Sequence, residues 1–235
     1  MKLKDLLTIV IPCKDENENI KNILSDINNQ NESSGLNVIV ADASEDYTTQ
    51  HYIWSETGKT ANIKVIEGGY PAKARYNGAN LTNTQYILFL DADMRIQNKN
   101  FLLEILNEII EKDSDLLTCK VRTYDDRFNY VYKFFDVVQK LHIITGPFAL
   151  GGIMLFKKSS YDKVGGFNPN DLFAEDYNLS RKINSNKFLI SKQTIFTSSR
   201  RIEKKGISYM LSMLVKSYFN RNNRKFFEKH HNYWL

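Results

Sequence analysis

Residues 86–93, YILFLDAD, constrain the fold more than any other stretch, because five consecutive aromatic or aliphatic residues run directly into two carboxylates separated by one alanine. A strand with one wet face alternates apolar and polar residues. A strand covered on both faces is apolar throughout, as in a parallel sheet sandwiched by helices. Asp91 and Asp93 then fall just beyond the carboxyl end of the strand, the edge at which open α/β sheets bind ligands. Residues two apart in extended backbone point the same way about 7 Å apart, so both carboxylates can address one bound species. With no basic residue between them, that species is expected to be a cation.

The chain before this stretch repeats strand and helix in turn. Residues 6–12 (LLTIVIP) are an apolar, β-rich run closed by Pro12, which lacks the N–H a ladder needs. After the polar turn CKDENEN, the apolar positions Ile20, Ile23, Leu24 and Ile27 form a helical stripe. A second strand, 37–41, runs into Asp42, and a helix over 48–57 leads to a third strand at 63–66 and the Gly68-Gly69 turn. Residues 72–81 read as a helix with Lys73 and Arg75 in its first turn and Gly78 as a weak point. The pattern β-α-β-α-β-α-β predicts an α/β fold, a Rossmann-like, mostly parallel central sheet with right-handed crossovers and helices on both faces.

A further helix is expected over 100–111 and a strand over 115–121, after which the alternation stops. The smaller mixed region holds an aromatic-rich helix at 128–141, a Gly146-Pro147 turn and a strand at 150–157 interrupted by Gly151-Gly152. A helix from about 176 to 184 and two short strands at 188–190 and 194–197 complete it. Without repeats or low-complexity linkers, residues 1–205 read as one domain, with a ligand-binding half (1–95) and a second half (96–205), followed by a basic amphipathic helix or tail (206–235).

Charge is uneven. The formal net charge is +5, yet the stretch from Arg200 to the end carries nine Lys or Arg against two Glu, so the body is near neutral and the tail is basic. A nucleic-acid-binding domain would be basic over a face of its folded body, so nucleic acid is not an expected partner. Cys13 and Cys119 have no partner at zinc spacing and read as reduced, structural thiols of a cytoplasmic protein. The amino terminus reads as a first strand instead of a signal peptide, and no run reaches the roughly 20 apolar residues that span a bilayer.

The charged residues at strand ends are the candidates for chemistry. If the ligand is a diphosphate, a carboxylate and a phosphate about 4 Å apart repel by roughly 4 kcal/mol at an effective dielectric near 20, and a bridging divalent cation removes that repulsion. Hard oxygen ligands favour Mg²⁺ or Mn²⁺ over zinc. Glu175-Asp176 follows a glycine-rich loop and opens a helix, where an acid either caps the helix or serves as a general base with a pKa raised by its neighbour. Lys73 and Arg75 are either an exposed helix face or ligand contacts. Arg200-Arg201 follows the strand TIFTSS, and the planar guanidinium suits bidentate phosphate recognition. His230 and His231 read as part of the basic tail instead of as metal ligands. The helical stretch 206–219, GISYMLSMLVKSYF, is more apolar than one stripe requires; core docking, a homodimer contact and peripheral membrane binding are its readings.

Six stretches in order, TIVIPCKDENENI, VIVADASEDYT, AKARYNGA, YILFLDADM, GGIMLFKKSSYDKVGGFNPNDLFAEDYNLSRKI and SSRR, resemble the family 2 glycosyltransferases, inverting enzymes with the GT-A fold. The resemblance runs from Thr8 to about Gly206. It implies that Pro12, Lys14 and Glu16 line a nucleoside pocket, that Asp42 reads the base, and that Lys73 and Arg75 lie near the nucleotide. Asp91, Ala92 and Asp93 would be the family's DXD, with Asp91 shared between metal and nucleotide sugar and Asp93 on Mn²⁺ or Mg²⁺. Asp176 would be the base of the ED motif, with Glu175, Gly151 and Gly152 beside the acceptor and Arg200 or Arg201 on the leaving diphosphate. The implied activity moves one sugar from a nucleotide-diphosphate sugar, UDP-sugar favoured, to a hydroxyl of a glycan or lipid-linked acceptor. Where the family has DDGS, this chain has Ala41-Asp42-Ala43-Ser44, and it lacks the QXXRW motif of processive members. A catalytically silent nucleotide-sugar-binding module remains open. A nucleotidylyltransferase would carry a basic, glycine-rich loop after its first strand, where CKDENEN stands.

Overall fold

The computed structural model describes residues 2–231 and, within them, every side chain but those of His142 and Ile143. The last four residues of the expected basic tail lie outside the described residues. The first half runs α1 (Leu3–Leu6), β1 (Leu7–Cys13), α2 (Asn17–Asn28), β2 (Asn37–Asp42), α3 (Thr48–Glu56), β3 (Asn62–Glu67), α4 (Pro71–Asn80) and β4 (Tyr86–Leu90). Then follow β5 (Met94–Arg95), α5 (Phe101–Glu111), β6 (Leu116–Thr123), α6 (Asn129–Lys140), α7 (His142–Thr145), β7 (Ile153–Lys157), α8 (Lys158–Lys163) and α9 (Glu175–Ser180). The chain closes with β8 (Phe188–Thr197), α10 (Arg200–Lys205), α11 (Ile207–Phe219) and α12 (Arg224–Phe227).

The strands form one eight-stranded sheet in the order β3-β2-β1-β4-β7-β6-β8-β5. The first four are mutually parallel, as the βα alternation requires. β7 enters between β4 and β6 antiparallel to both, while β8 runs parallel to β6 and carries the two-residue β5 antiparallel on its outer edge. Both faces of the sheet are dry. Leu7, Ile9, Ile11 and Cys13 of β1 join one core with α2 and α5, and Val10 joins the other with α4, α8 and α9. β4 divides the same way, with Tyr86, Leu88 and Leu90 on one side and Ile87 and Phe89 on the other. This is why these strands are apolar without alternation. The edge strand β3 is only partly covered, and its residues range from half-buried to exposed.

Several local expectations change in three dimensions. Gly78 lets α4 lie close against the sheet: a Cβ there would lie 2.3 Å from Val10 Cγ1. The strand expected over 150–157 begins at Ile153, because Gly151 and Gly152 turn the chain and give their carbonyls to Arg75 and to the N–H of Asp91. The two strands expected at 188–190 and 194–197 are one strand with an irregularity where its pairing shifts past Thr118 and Lys120. The helix expected from 176 to 184 stops at Ser180, and Asn184 instead caps a short 3₁₀ turn with its side chain. Beyond Lys205, the chain folds back onto the body through Met213 and Phe227, both buried. Cys13 and Cys119 are buried free thiols whose pKa values burial pushes up, which suits an inert, structural role.

Candidate active site

Parallel register brings the functional residues to one edge. Cys13 at the end of β1 pairs with Asp42 at the end of β2, and Asp42 pairs with Glu67 at the end of β3. Asp91 follows β4 and is tied to the beginning of β7 by its N–H to the carbonyl of Gly152 at 3.0 Å. β8 ends beside β5, Thr197 opposite Met94, so the segment Ser198–Arg201 emerges near Asp93.

Two cavities open along this edge. The larger, about 660 Å³, is lined by Pro12, Lys14, Glu16, Ala92, Tyr70 and the basic residues of α10. The smaller, about 150 Å³, is lined by Gly151, Gly152, Glu175 and Asp176, with walls of Tyr132, Phe135, Phe148, Met210 and Met213. Arg75, Asp91, Asp93 and Arg201 line both and form the seam between them.

Arg75 builds that seam. Its guanidinium, 1% exposed, donates to Asp91 Oδ1 at 2.6 Å, Glu175 Oε1 at 2.5 Å and the Gly151 carbonyl at 3.2 Å. Burial alone would lower its pKa, but Asp91, Glu175 and Asp176 more than compensate, so it stays charged. One planar cation therefore fixes the acid after β4, the glycine turn before β7 and the first residue of α9, a task that the single ammonium of lysine is poorly shaped for. Burial pushes the Asp93 carboxyl up to about 6, with the charge of Asp91 adding to the rise and Arg201 opposing it. Tyr124 Oη donates to the Asp93 carbonyl at 2.7 Å and holds this turn from the second half of the chain. Asp91 and Asp93 are the carboxylates here that could hold a cation. Among the described residues no cluster of three or more His, Cys, Asp or Glu side chains is arranged to bind one, so a metal would take its remaining ligands from a bound molecule or water.

Asp176 sits at the start of α9, where Ala174 adopts a left-handed backbone (φ 48°) that turns the acids inward. Its Oδ1 accepts from the N–H of Tyr177 at 2.7 Å. Burial raises its pKa, as it does that of Glu175, which reaches about 7 against the pull of Arg75 and with the push of Asp176. A Cβ on Gly151 would lie 2.8 Å from Asp176 Oδ2, so only glycine lets the acid sit where it does.

Around the larger cavity, Asp42 Oδ1 accepts from the N–H and hydroxyl of Ser44, whose Oγ also accepts from Asp15 N–H at 2.8 Å, tying the loops after β1 and β2 together. Asp42 Oδ2 is buried without a partner among the described residues. Such an orphan acceptor suits a ligand donor. Asp42 itself does not line the cavity, but its neighbour Ala43 does. Glu16 pairs with Arg200 at 2.8 Å. Lys73 points away to Glu67 at 3.6 Å and lines neither cavity. Tyr70, Lys204, Lys205 and His230, not singled out from the sequence for this cavity, also line it, and Tyr70 Oη lies 3.3 Å from His230 Nε2. Gly206 (φ 80°) joins α10, on the larger cavity, to α11, which walls the smaller.

Residues 8–165 match the profile of the family described as Glycosyl transferase family 2. The chain belongs to that family. No curated protein matches the chain in sequence. Its fold is shared with solved structures at low identity. A mannosyltransferase from Pyrobaculum calidifontis, in complex with GDP-Man and Mn²⁺, superposes with a TM-score of 0.71 at 18% identity over 92% of this chain and 64% of that one. S. aureus TarS with UDP-GlcNAc gives 0.64 at 20% identity, covering 82% and 58% of the two chains. Glucosyl-3-phosphoglycerate synthase from Mycobacterium tuberculosis, with Mn²⁺, UDP and phosphoglyceric acid, gives 0.60 at 14%, covering 91% and 78%. The family 2 chain thus spans less than two thirds of the first two proteins, and its α/β sheet flanked by helices is of the GT-A kind.

Proposed function

We propose that the protein is an inverting glycosyltransferase that moves one sugar from a nucleoside-diphosphate sugar, with UDP-sugars the first to test, to a hydroxyl of a glycan or lipid-linked acceptor. The observation that carries this reading is the seam: a roomy cavity with basic residues and a small one holding the half-buried Asp176 meet at Asp91, Asp93, Arg75 and Arg201. The nucleotide sugars and Mn²⁺ bound by the similar structures support the donor class and the metal.

The donor lies in the larger cavity, its nucleoside near Pro12, Lys14 and Ala43, the neighbour of Asp42, and its diphosphate near Arg200 and Arg201. Asp93, with Asp91, would hold Mn²⁺ or Mg²⁺, which when bound neutralises charge that develops on the departing diphosphate. Asp91 and Asp93, hard oxygen donors where the two cavities meet, fit a hard cation that keeps positions open for a bound molecule. From the other side of the seam, Asp176 takes the acceptor's proton on Oδ2, the oxygen that does not accept from Tyr177 N–H. The acceptor oxygen forms its bond to the anomeric carbon as the carbon–oxygen bond to phosphate breaks, and the electron pair leaves with the diphosphate. Attack opposite the leaving group inverts the centre.

Asp176→Asn should retain donor affinity, measured calorimetrically with Mn²⁺ and UDP- or GDP-sugars, while turnover falls by about 10²–10⁴-fold, the usual range for a general base. Asp93→Ala should instead lose the metal-dependent part of donor binding. Near-normal turnover in Asp176→Asn would sink the base assignment. Donor binding by the wild type without transfer or hydrolysis would favour a silent binding module.

A further inference from the structure

α6 is apolar on two sides. Val131, Phe135 and Gln139 are buried, and Tyr132 and Phe135 wall the smaller cavity. On the opposite side Tyr130, Phe134, Val137, Leu141 and Ile144 stand exposed at steps of four and three residues, with Tyr130 60% and Ile144 83% accessible. A contiguous exposed stripe of this kind marks an interaction surface. We infer that the α6–α7 stripe docks on an anionic lipid surface.

Three observations select that occupant. Lys133 and Lys140 flank the stripe and are exposed, whereas Asp136 on the same helix is neutralised by Arg122 at 2.5 Å, so its free charge is positive. α11, the second wall of the same cavity, repeats the composition outwardly with Val215, Lys216 and Phe219, the last 78% exposed. Apolar side chains with lysines at their margins suit insertion among acyl chains below anionic headgroups. A second copy of the chain fits less well. The stripe covers two heptads broken at Leu141, short of the roughly three to four a coiled-coil seam needs. No described helix is long and apolar enough to cross a membrane, so this contact is interfacial. It would also hold the cavity containing Asp176 next to the interface, a corollary that rests on the transferase reading; the docking itself does not.

The test is sedimentation of the full chain with sucrose-loaded vesicles of phosphatidylcholine alone or with about 30 mol% phosphatidylglycerol. The wild type should bind the anionic vesicles, and Phe134→Ser with Val137→Ser should weaken that binding by about tenfold or more. Lys133→Glu with Lys140→Glu should abolish the preference for anionic over neutral vesicles. Both double variants change only exposed residues outside the two cavities, so an unchanged thermal melt and unchanged donor binding report that they fold. A wild type that binds neither vesicle, or serine variants that bind as well as it does, would overturn the proposal. So would a dimer in sedimentation equilibrium that the serine variant dissociates, which would assign the stripe to a second copy. Loss of transferase activity with vesicle binding intact would count against the function and not against the surface.

Discussion

Gly78→Ala opposes two effects of known size on one methyl group. In a helix interior alanine is favoured over glycine by about 1 kcal/mol, and on that basis alone the variant would be more stable. The structure opposes this. The new Cβ would sit 2.3 Å from Val10 Cγ1, 3.0 Å from Cγ2 and 3.2 Å from Cβ, whereas carbon atoms rest at about 3.5–4.0 Å. Val10 cannot retreat far, because it is fully buried and its backbone is held by Ile39 of β2 on one side and Phe89 of β4 on the other. α4 must therefore move off the sheet by about an ångström, and overpacking of this kind costs about 1–3 kcal/mol or more. With the propensity gain of about 1 kcal/mol subtracted, the expected net loss is about 0–2 kcal/mol, up to roughly 8 °C in melting temperature for a chain of this size. Urea titration of Gly78→Ala, Val10→Ala and the double variant forms a cycle. Removing both Cγ atoms of Val10 makes room for the methyl, so the double variant should lose less than the sum of the singles by about 1 kcal/mol or more. A stabilised Gly78→Ala, or singles that simply add, would refute the close-approach argument and leave only the helix-propensity effect.

Two further outcomes concern the site. Gly151→Ala should lower kcat by about tenfold to a hundredfold, because the Cβ displaces Asp176 from its seat, an ångström-scale misplacement of a reacting group. Its donor affinity should not change, since Gly151 lines only the smaller cavity, and a kcat within about a factor of two of wild type would argue against that seat for the base. The second is the pH profile of kcat at saturating substrates. Asp176 must be ionised to accept a proton, and burial raises its pKa from the ordinary 3.8, so turnover should fall as pH drops, with a midpoint above 3.8. A midpoint at or below that value would place the base elsewhere.

What could be read in the sequence was whatever is local. The wholly apolar runs of β1, β2 and β4 announce burial on both faces, and the acids and bases at their ends follow from the chain direction, so the parallel half and its edge were legible. Arg75 shows the limit. Its position in α4 was clear, but its partners Asp91 and Glu175 lie 16 and 100 residues away, and nothing local says that one guanidinium bridges them instead of facing a phosphate. Lys73, two residues earlier, looked equivalent and points elsewhere. α6 was recognisable as an aromatic-rich helix, yet apolar residues lie on both sides of its polar stripe of Asn129, Lys133, Asp136 and Lys140, and nothing local says which side is buried. The position of β7 was hidden for a related reason, since an antiparallel strand inserted between β4 and β6 has the same dry composition as a parallel one.

Gly206 carries a thermodynamic consequence. One residue with φ 80° separates a helix whose lysines reach the larger cavity from a helix whose methionines wall the smaller. A bound molecule that draws α10 inward pulls on α11 through that joint, unless the joint absorbs the motion. Whatever free energy passes through it is shared symmetrically: if the occupant of one cavity changes the affinity of the other by some factor, the second must change the first by the same factor. Order of binding would then be a matter of rates alone, and a glycine, the residue with the freest backbone, sets how stiffly the two cavities are linked.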